Sequence, residues 1–126
     1  MITVIGEDKN GNYGFEIYDY RQERLIGTAT VGKYPILEVN FHPKSLNTIA
    51  LCGVNFLSIW RFNGKMITCK KEVMVNKVFL CMIYLDLHVG TKDVDILLGT
   101  TEGEFYLYIE GTLLPKQAKA HEGAIN

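Results

Sequence analysis

Asp86 and His88 lie two residues apart and would share one face of any strand that carried them. A carboxylate beside an imidazole is the smallest set that could move a proton or hold two corners of a metal site. Asp93 and Asp95 follow in the same stretch, but no third ligand series or turn glycine completes a calcium loop there. His42 stands before Pro43 and reads as a turn residue whose ring N–H bonds to backbone, and His121 reads as structural too. Ser45 and Ser58 have no base beside them, and no Gly-x-Ser-x-Gly or phosphate-binding loop occurs. The run Gly11-Asn12-Tyr13-Gly14 fits no dinucleotide pattern. Cys52, Cys69 and Cys81 are odd in number, form no Cys-x-x-Cys pair and sit in apolar strand-like runs, where a free thiol behaves as a small hydrophobe. The expectation is a chain without catalytic residues, cofactor or metal, kept in a reducing, intracellular compartment.

Composition narrows the partners. Thirteen basic and fourteen acidic residues leave a net charge of −1, well mixed, with Lys70-Lys71 the largest basic cluster. Such a balance offers no basic face for nucleic acid. No apolar run is long enough to span a membrane, and the N-terminus turns acidic at Glu7-Asp8, too early for a signal peptide. A cytoplasmic location and protein partners are expected. Tyr13 and Tyr34, at loop ends, are the candidate partner-binding residues, because Tyr is enriched at interfaces.

The elements that must position these residues are strands. Val, Ile, Tyr, Phe and Thr are abundant, apolar runs are short, and no stretch carries the helical apolar period. Strands are expected at 2–6, 15–20, 24–31, 36–41, 48–52, 56–62, 66–72, 78–85, 95–100, 104–109 and 113–120. Asn63-Gly64 is the strongest hairpin signal among them. Three runs repeat: Phe15-Glu16-Ile17-Tyr18, Leu57-Ser58-Ile59-Trp60 and Phe105-Tyr106-Leu107-Tyr108. Their terminal aromatics are 42 and 48 residues apart, and an apolar-Gly pair precedes each run (Ile5-Gly6, Cys52-Gly53 and Leu98-Gly99). Four strands per repeat of about 40 to 50 residues is the period of a propeller blade. One blade cannot bury both of its faces alone; stacked blades bury them on each other.

The middle repeat resembles a WD repeat. Ile36 to Phe41 runs into His42-Pro43, then come Thr48-Ile49-Ala50-Leu51-Cys52-Gly53 and a strand ending in Trp60. The closing Ala120-His121-Glu122-Gly123 resembles the loop that opens a further repeat. The resemblance implies an all-β fold, antiparallel four-stranded blades of a WD-repeat β-propeller. It implies about three blades of a partial ring, near 1–32, 33–75 and 76–120, with 121–126 starting another. Tyr18, Trp60, Tyr108, His42, Pro43 and His121 are the structural repeat positions it marks. The hydrogen-bonded set of many WD repeats is incomplete: Asn55 stands near its Asp position, and Lys33-Tyr34-Pro35 replaces its His-bearing loop.

Within that family the phrases Phe15-Glu16-Ile17-Tyr18-Asp19-Tyr20 and Leu98-Gly99-Thr100-Thr101-Glu102-Gly103 resemble the WD-repeat proteins of cilia and flagella. They are similar as well to the EMAP-like microtubule-associated proteins. That resemblance implies a non-catalytic scaffold docking partners, tubulin or axonemal complex subunits, at a cilium, flagellum or other cytoskeletal location. A closed ring needs about four to eight blades, so further blades of a longer chain are expected to complete it. The rival expectation is a stand-alone intracellular β-domain that binds a peptide by edge-strand addition.

Overall fold

The computed structural model describes residues 1–44, 47–85, 95–109 and 111–116. Every regular element among them is a β-strand, and within each of two sheets every strand pairs antiparallel with the next. β1 (Ile2–Glu7), β2 (Tyr13–Asp19) and β3 (Arg24–Gly32) form a three-stranded sheet in that order. A second sheet runs β4 (Ile36–Phe41), β5 (Thr48–Asn63), β6 (Met66–Leu85), β7 (Asp95–Thr100), β8 (Phe105–Ile109) and β9 (Thr112–Lys116). The all-β expectation holds, and sheets of this construction are consistent with propeller blades.

Two of these strands are longer than the sequence pattern, and their lengths have different causes. The backbone N–H of Phe62 donates to the carbonyl of Asn47 at 3.0 Å, so β5 doubles back on itself. Its reversal falls at Val54-Asn55, where Asn55 has φ 71°, a left-handed conformation that Asn tolerates. The expected strands 48–52 and 56–62 are therefore the two arms of one tight hairpin with no break in extended structure. β6 does not fold back. Residues 66–74 pair with the second arm of β5, Val78 pairs with Val54 after three unpaired residues of the register, and 79–85 pair with β7. One strand thus crosses from the outside of one unit to the inside of the next. The second sheet comprises two four-stranded units that share β6, while the first sheet has three strands.

The turn at the end of β5 also differs from its sequence signal. Asn63 pairs with Met66, so the loop is Gly64-Lys65, one residue on from Asn63-Gly64. Gly64 has φ 61° and takes the first central position, where a two-residue hairpin of this hand needs a glycine.

The registers expose the repeat. Tyr18 lies opposite Ile2 and Tyr108 opposite Ile96, and the β5 hairpin sets Trp60 opposite Ile49. Register shifts recur at matched places: after Ile17 and after Ile59, and again beside Glu38 and Cys81. Each shift is a bulge that adds local twist.

Two apolar cores fill the spaces between units. Phe15 and Ile17 of the first sheet pack with Ile49, Leu51, Phe56, Trp60 and Phe62 of the second unit. The opposite face of that unit offers Ala50, Cys52, Leu57 and Ile59 to Phe79, Met82, Ile96 and Leu98 of the third. Alternate residues of the β5 arms serve different cores, which is why both arms are buried on two faces and almost wholly apolar.

Candidate functional site

Chain reversals gather at one end of these sheets. Tyr13 faces Gly32 across β2 and β3, placing the 8–12 turn beside the crossover at 33–35. Val54 donates its backbone N–H to the carbonyl of Pro35 at 3.1 Å, adding the β5 reversal to the group. Val54 also pairs with Val78, and Thr101 N–H donates to the Val78 carbonyl at 3.1 Å, which brings in the β7–β8 turn. The two candidate tyrosines, Tyr13 and Tyr34, therefore lie at the same end.

Side chains fix these loops. The carboxylate of Asp8 accepts the backbone N–H groups of Asn10 (2.8 Å) and Asn12 (3.0 Å), which close the turn and hold its carboxyl below the usual carboxylate range. Lys77 Nζ reaches Glu104 at 2.8 Å and Glu102 at 3.0 Å, tying the β6 crossover to the β7–β8 turn. These contacts keep its ammonium above the ordinary lysine range, Glu104 contributing most.

Beside Tyr34 opens a cleft of about 350 Å³, lined by Val31, Tyr34, Phe56 and Met74 together with the exposed Lys33 and Glu72. Tyr34 is 43% exposed and Met74 53%, so an aromatic and a flexible thioether stand free at its mouth. This combination suits a protein anchor: an apolar body to cover, with one charge of each sign at hand. Tyr13 lines a separate groove of about 220 Å³ with Val4, Gly6, Glu16 and Thr28. The tyrosines share an end of the molecule but not a pocket. Met74, Phe56 and Glu72 were not singled out from sequence; the β5–β6 pairing sets Phe56 opposite Met74, and the three line one cleft with Tyr34.

The other marked residues are structural in setting. Trp60 is buried, and its indole N–H donates to Ser58 Oγ at 2.9 Å while its ring meets Phe15 edge-on, centroids 5.4 Å apart. Tyr18 repeats the device with a different acceptor two residues back, donating its hydroxyl to the Glu16 carboxylate, which holds the phenol above its ordinary range. Tyr108 is buried in the second core. The ring of His42 accepts at Nδ1, which takes the backbone N–H of Lys44 at 3.0 Å. That bond closes the turn over the exposed Pro43, and the ring lies 4.8 Å from that of Tyr84. His121 lies outside the described residues.

Chemistry finds little to work with here. Asp86, His88 and Asp93 also lie outside the described residues, and Asp95 is buried in β7. Among the described residues no three His, Cys, Asp or Glu side chains converge on a metal position. Cys52 is fully buried, which pushes its thiol far above the ordinary range, and burial raises Cys69 as well. Neither thiol is poised as a nucleophile. No helix among the described residues is long and apolar enough to cross a membrane.

No family model matches the chain. It is similar to echinoderm microtubule-associated protein-like 4 of Homo sapiens, with 23% identity over 135 aligned residues, 94% of this chain and 13% of that protein. The counterpart in Mus musculus is 22% identical over the same coverage, and that of Xenopus laevis 22% identical over 94% of this chain and 14% of its own length. The chain thus spans about one seventh of the curated relatives it matches. Similarity over nearly the whole chain, to proteins named as microtubule-associated, supports the WD-repeat resemblance of the sequence.

Proposed function

We propose that this chain is a sector of a WD-repeat propeller that serves as a non-catalytic docking scaffold in a microtubule-associated assembly. The observation that carries the docking role is the exposed Tyr34–Met74 cleft at an end where turns and crossovers are fixed by hydrogen bonds and ion pairs. A rigid loop cluster of this kind selects partners by shape, needing no cofactor. The blades are 1–32, 33–75 and 76–120, with 121–126 opening another, and further blades of a longer chain close the ring. Tubulin and axonemal complex subunits are the proposed partner class, and the cytoskeleton, in a cilium or flagellum, the proposed location. The microtubule part of this reading is supported by the similarity to microtubule-associated relatives.

Co-sedimentation with polymerised tubulin tests it. The chain is expected in the pellet, and Tyr34→Ala combined with Met74→Ala should lower the bound fraction at least fivefold without changing the melting transition. A chain that stays in the supernatant at every tubulin concentration, or a double variant that pellets like the parent, would sink the proposal.

A further inference from the structure

The outer edges of the sheets are protected unequally. Among the described residues, 66–74 of β6 pair with β5 and with no strand on the other side. That edge carries Lys70 and Lys71, and the register shift opposite Ile59 and Trp60 leaves Lys70 as an extra, bulged residue. β9, open beyond β8, has Pro115 in its run, opposite Tyr106. Lysine, proline and bulges are what keep a free edge from pairing with another chain. β3 is open beyond β2, yet from Leu25 to Gly32 it has neither a charge nor a proline. Its register with β2 is regular over 27–30, and bulges at Ile26 and Val31 confine regular pairing to that window.

The two ends of the window differ in chemistry. At one end Val31 and Gly32 form a wall of the Tyr34–Met74 cleft. At the other the β2–β3 turn exposes Arg21 and Arg24. Lys65 joins them: its carbonyl oxygen is 3.1 Å from where a Cβ on Gly27 would stand. Against these three cations are Glu23 and Asp19, and the Asp19 carboxylate already accepts the backbone N–H groups of Arg21 (3.0 Å) and Gln22 (3.3 Å). Between the ends, Ala29 and Val31 pack against the first core while Thr28 and Thr30 are exposed. A strand added here would set alternate side chains against the margin of that core.

We infer that the free edge of β3 docks an extended peptide segment of a partner protein by antiparallel strand addition, with an apolar residue first and acidic residues last. β3 runs from the basic turn toward the cleft, so an antiparallel segment begins at the cleft and ends at the turn. Its first side chain fills the Tyr34–Met74 cleft, backbone hydrogen bonds to 27–30 supply affinity, and its acidic end meets Arg21, Arg24 and Lys65. Charge selects this occupant over a second copy of the chain. Pairing β3 with another β3 would twice set the Arg24 end of one copy beside Lys33 of the other, and like charges across strands repel. The inference rests on the docking reading of the cleft and adds the partner's chemistry; it does not depend on tubulin.

Hydrogen exchange on the whole chain tests it, with the acetylated peptide Leu-Thr-Val-Thr-Val-Glu-Glu as the probe. At saturating peptide the edge-facing amides of 27–30 should exchange about tenfold more slowly than with a scrambled form. Arg24→Glu combined with Lys65→Glu, both at exposed positions, should weaken the peptide about fivefold and leave exchange elsewhere unchanged. Changing the peptide's two glutamates to lysines should restore binding to that variant. No slowing at 27–30, equal slowing by the scrambled peptide, or a charge-reversed variant that binds like the parent overturns the inference. So does an edge already slow in the dilute chain, or one that slows with chain concentration alone, since the chain itself or a second copy would then hold it. Tubulin pelleting without peptide binding would sink the edge inference alone, and peptide binding without pelleting the microtubule reading alone.

Discussion

Tyr18 and Trp60 sit at one register position of successive units, each donating to a side chain two residues earlier. Around Trp60 the second unit is covered on both faces, by Phe15 and Ile17 on one side and by Met82, Ile96 and Leu98 on the other. Around Tyr18 only one face of the first sheet is covered, and Ile2, Val4 and Leu25 remain exposed on the other. Two stretches of similar pattern thus have opposite environments. Burial here is a property of what stands alongside a strand, and the strand's own sequence only permits it.

Substitutions at matched positions sharpen the contrast. Trp60→Ala should cost about 3–5 kcal/mol, since it empties the interface and abandons the Phe15 ring. Tyr18→Ala should cost under about 1 kcal/mol. Denaturant midpoints read both, and equal losses would break the comparison. Leu51→Ala is expected to destabilise by about 2–5 kcal/mol, against less than about 0.5 kcal/mol for Val4→Ala, whose side chain is half exposed.

Glycine substitutions probe the inner edge. Gly53→Ala drives a methyl group into the Pro35 carbonyl and should cost at least about 1–3 kcal/mol. Gly6→Ala should be neutral or stabilise by about 0.4–1 kcal/mol, by restricting the unfolded chain. A similar loss at both sites would show that β1 already has a neighbour. Comparable to Gly53→Ala in size, Ser58→Ala leaves the buried indole N–H of Trp60 without its Ser58 acceptor and should cost about 1–3 kcal/mol, with a shift in tryptophan emission.

The least effect is in the response to alkali. Burial raises the phenol of Tyr84 above its unfolded value near 10, so the unfolded chain releases this proton first. Stability is then complete below pH 10 and falls as pH rises through the folded value. Lys77, raised by Glu104 and Glu102, and the buried Cys52 thiol act in the same direction, Cys52 from about pH 9 upward. Urea midpoints between pH 8 and 11 should decline, and Tyr84→Phe should flatten the slope. An unchanged slope would mean that Tyr84 titrates as if exposed.

Much of the fold was legible because strand chemistry is local. Period-two alternation and turn residues located the strands among the described residues, and β4 runs from Ile36 to Phe41 as its pattern indicates. The repeated aromatics pointed to the register that Ile2–Tyr18 and Ile96–Tyr108 realise. Sequence could not show that 48–63 stays extended through its reversal, because Asn55 reverses the chain without a loop's composition. Nor could it show one strand running from 66 to 85, since the bulge that moves it between units leaves no mark in hydropathy. At the site, Tyr34 stood out as a loop aromatic, whereas Met74 and Phe56 look like ordinary strand residues.

What the sequence determined by itself is the antiparallel meander, its repeat and the absence of a recognisable catalytic motif, all consequences of residue type and near-neighbour spacing. Only the tertiary structure decided which equivalent residues are buried, which glycine is crowded and which aromatics share a cleft. Those depend on contacts between segments some forty residues apart, whose pairing is set by stacking sheets face to face and by no single stretch of chain.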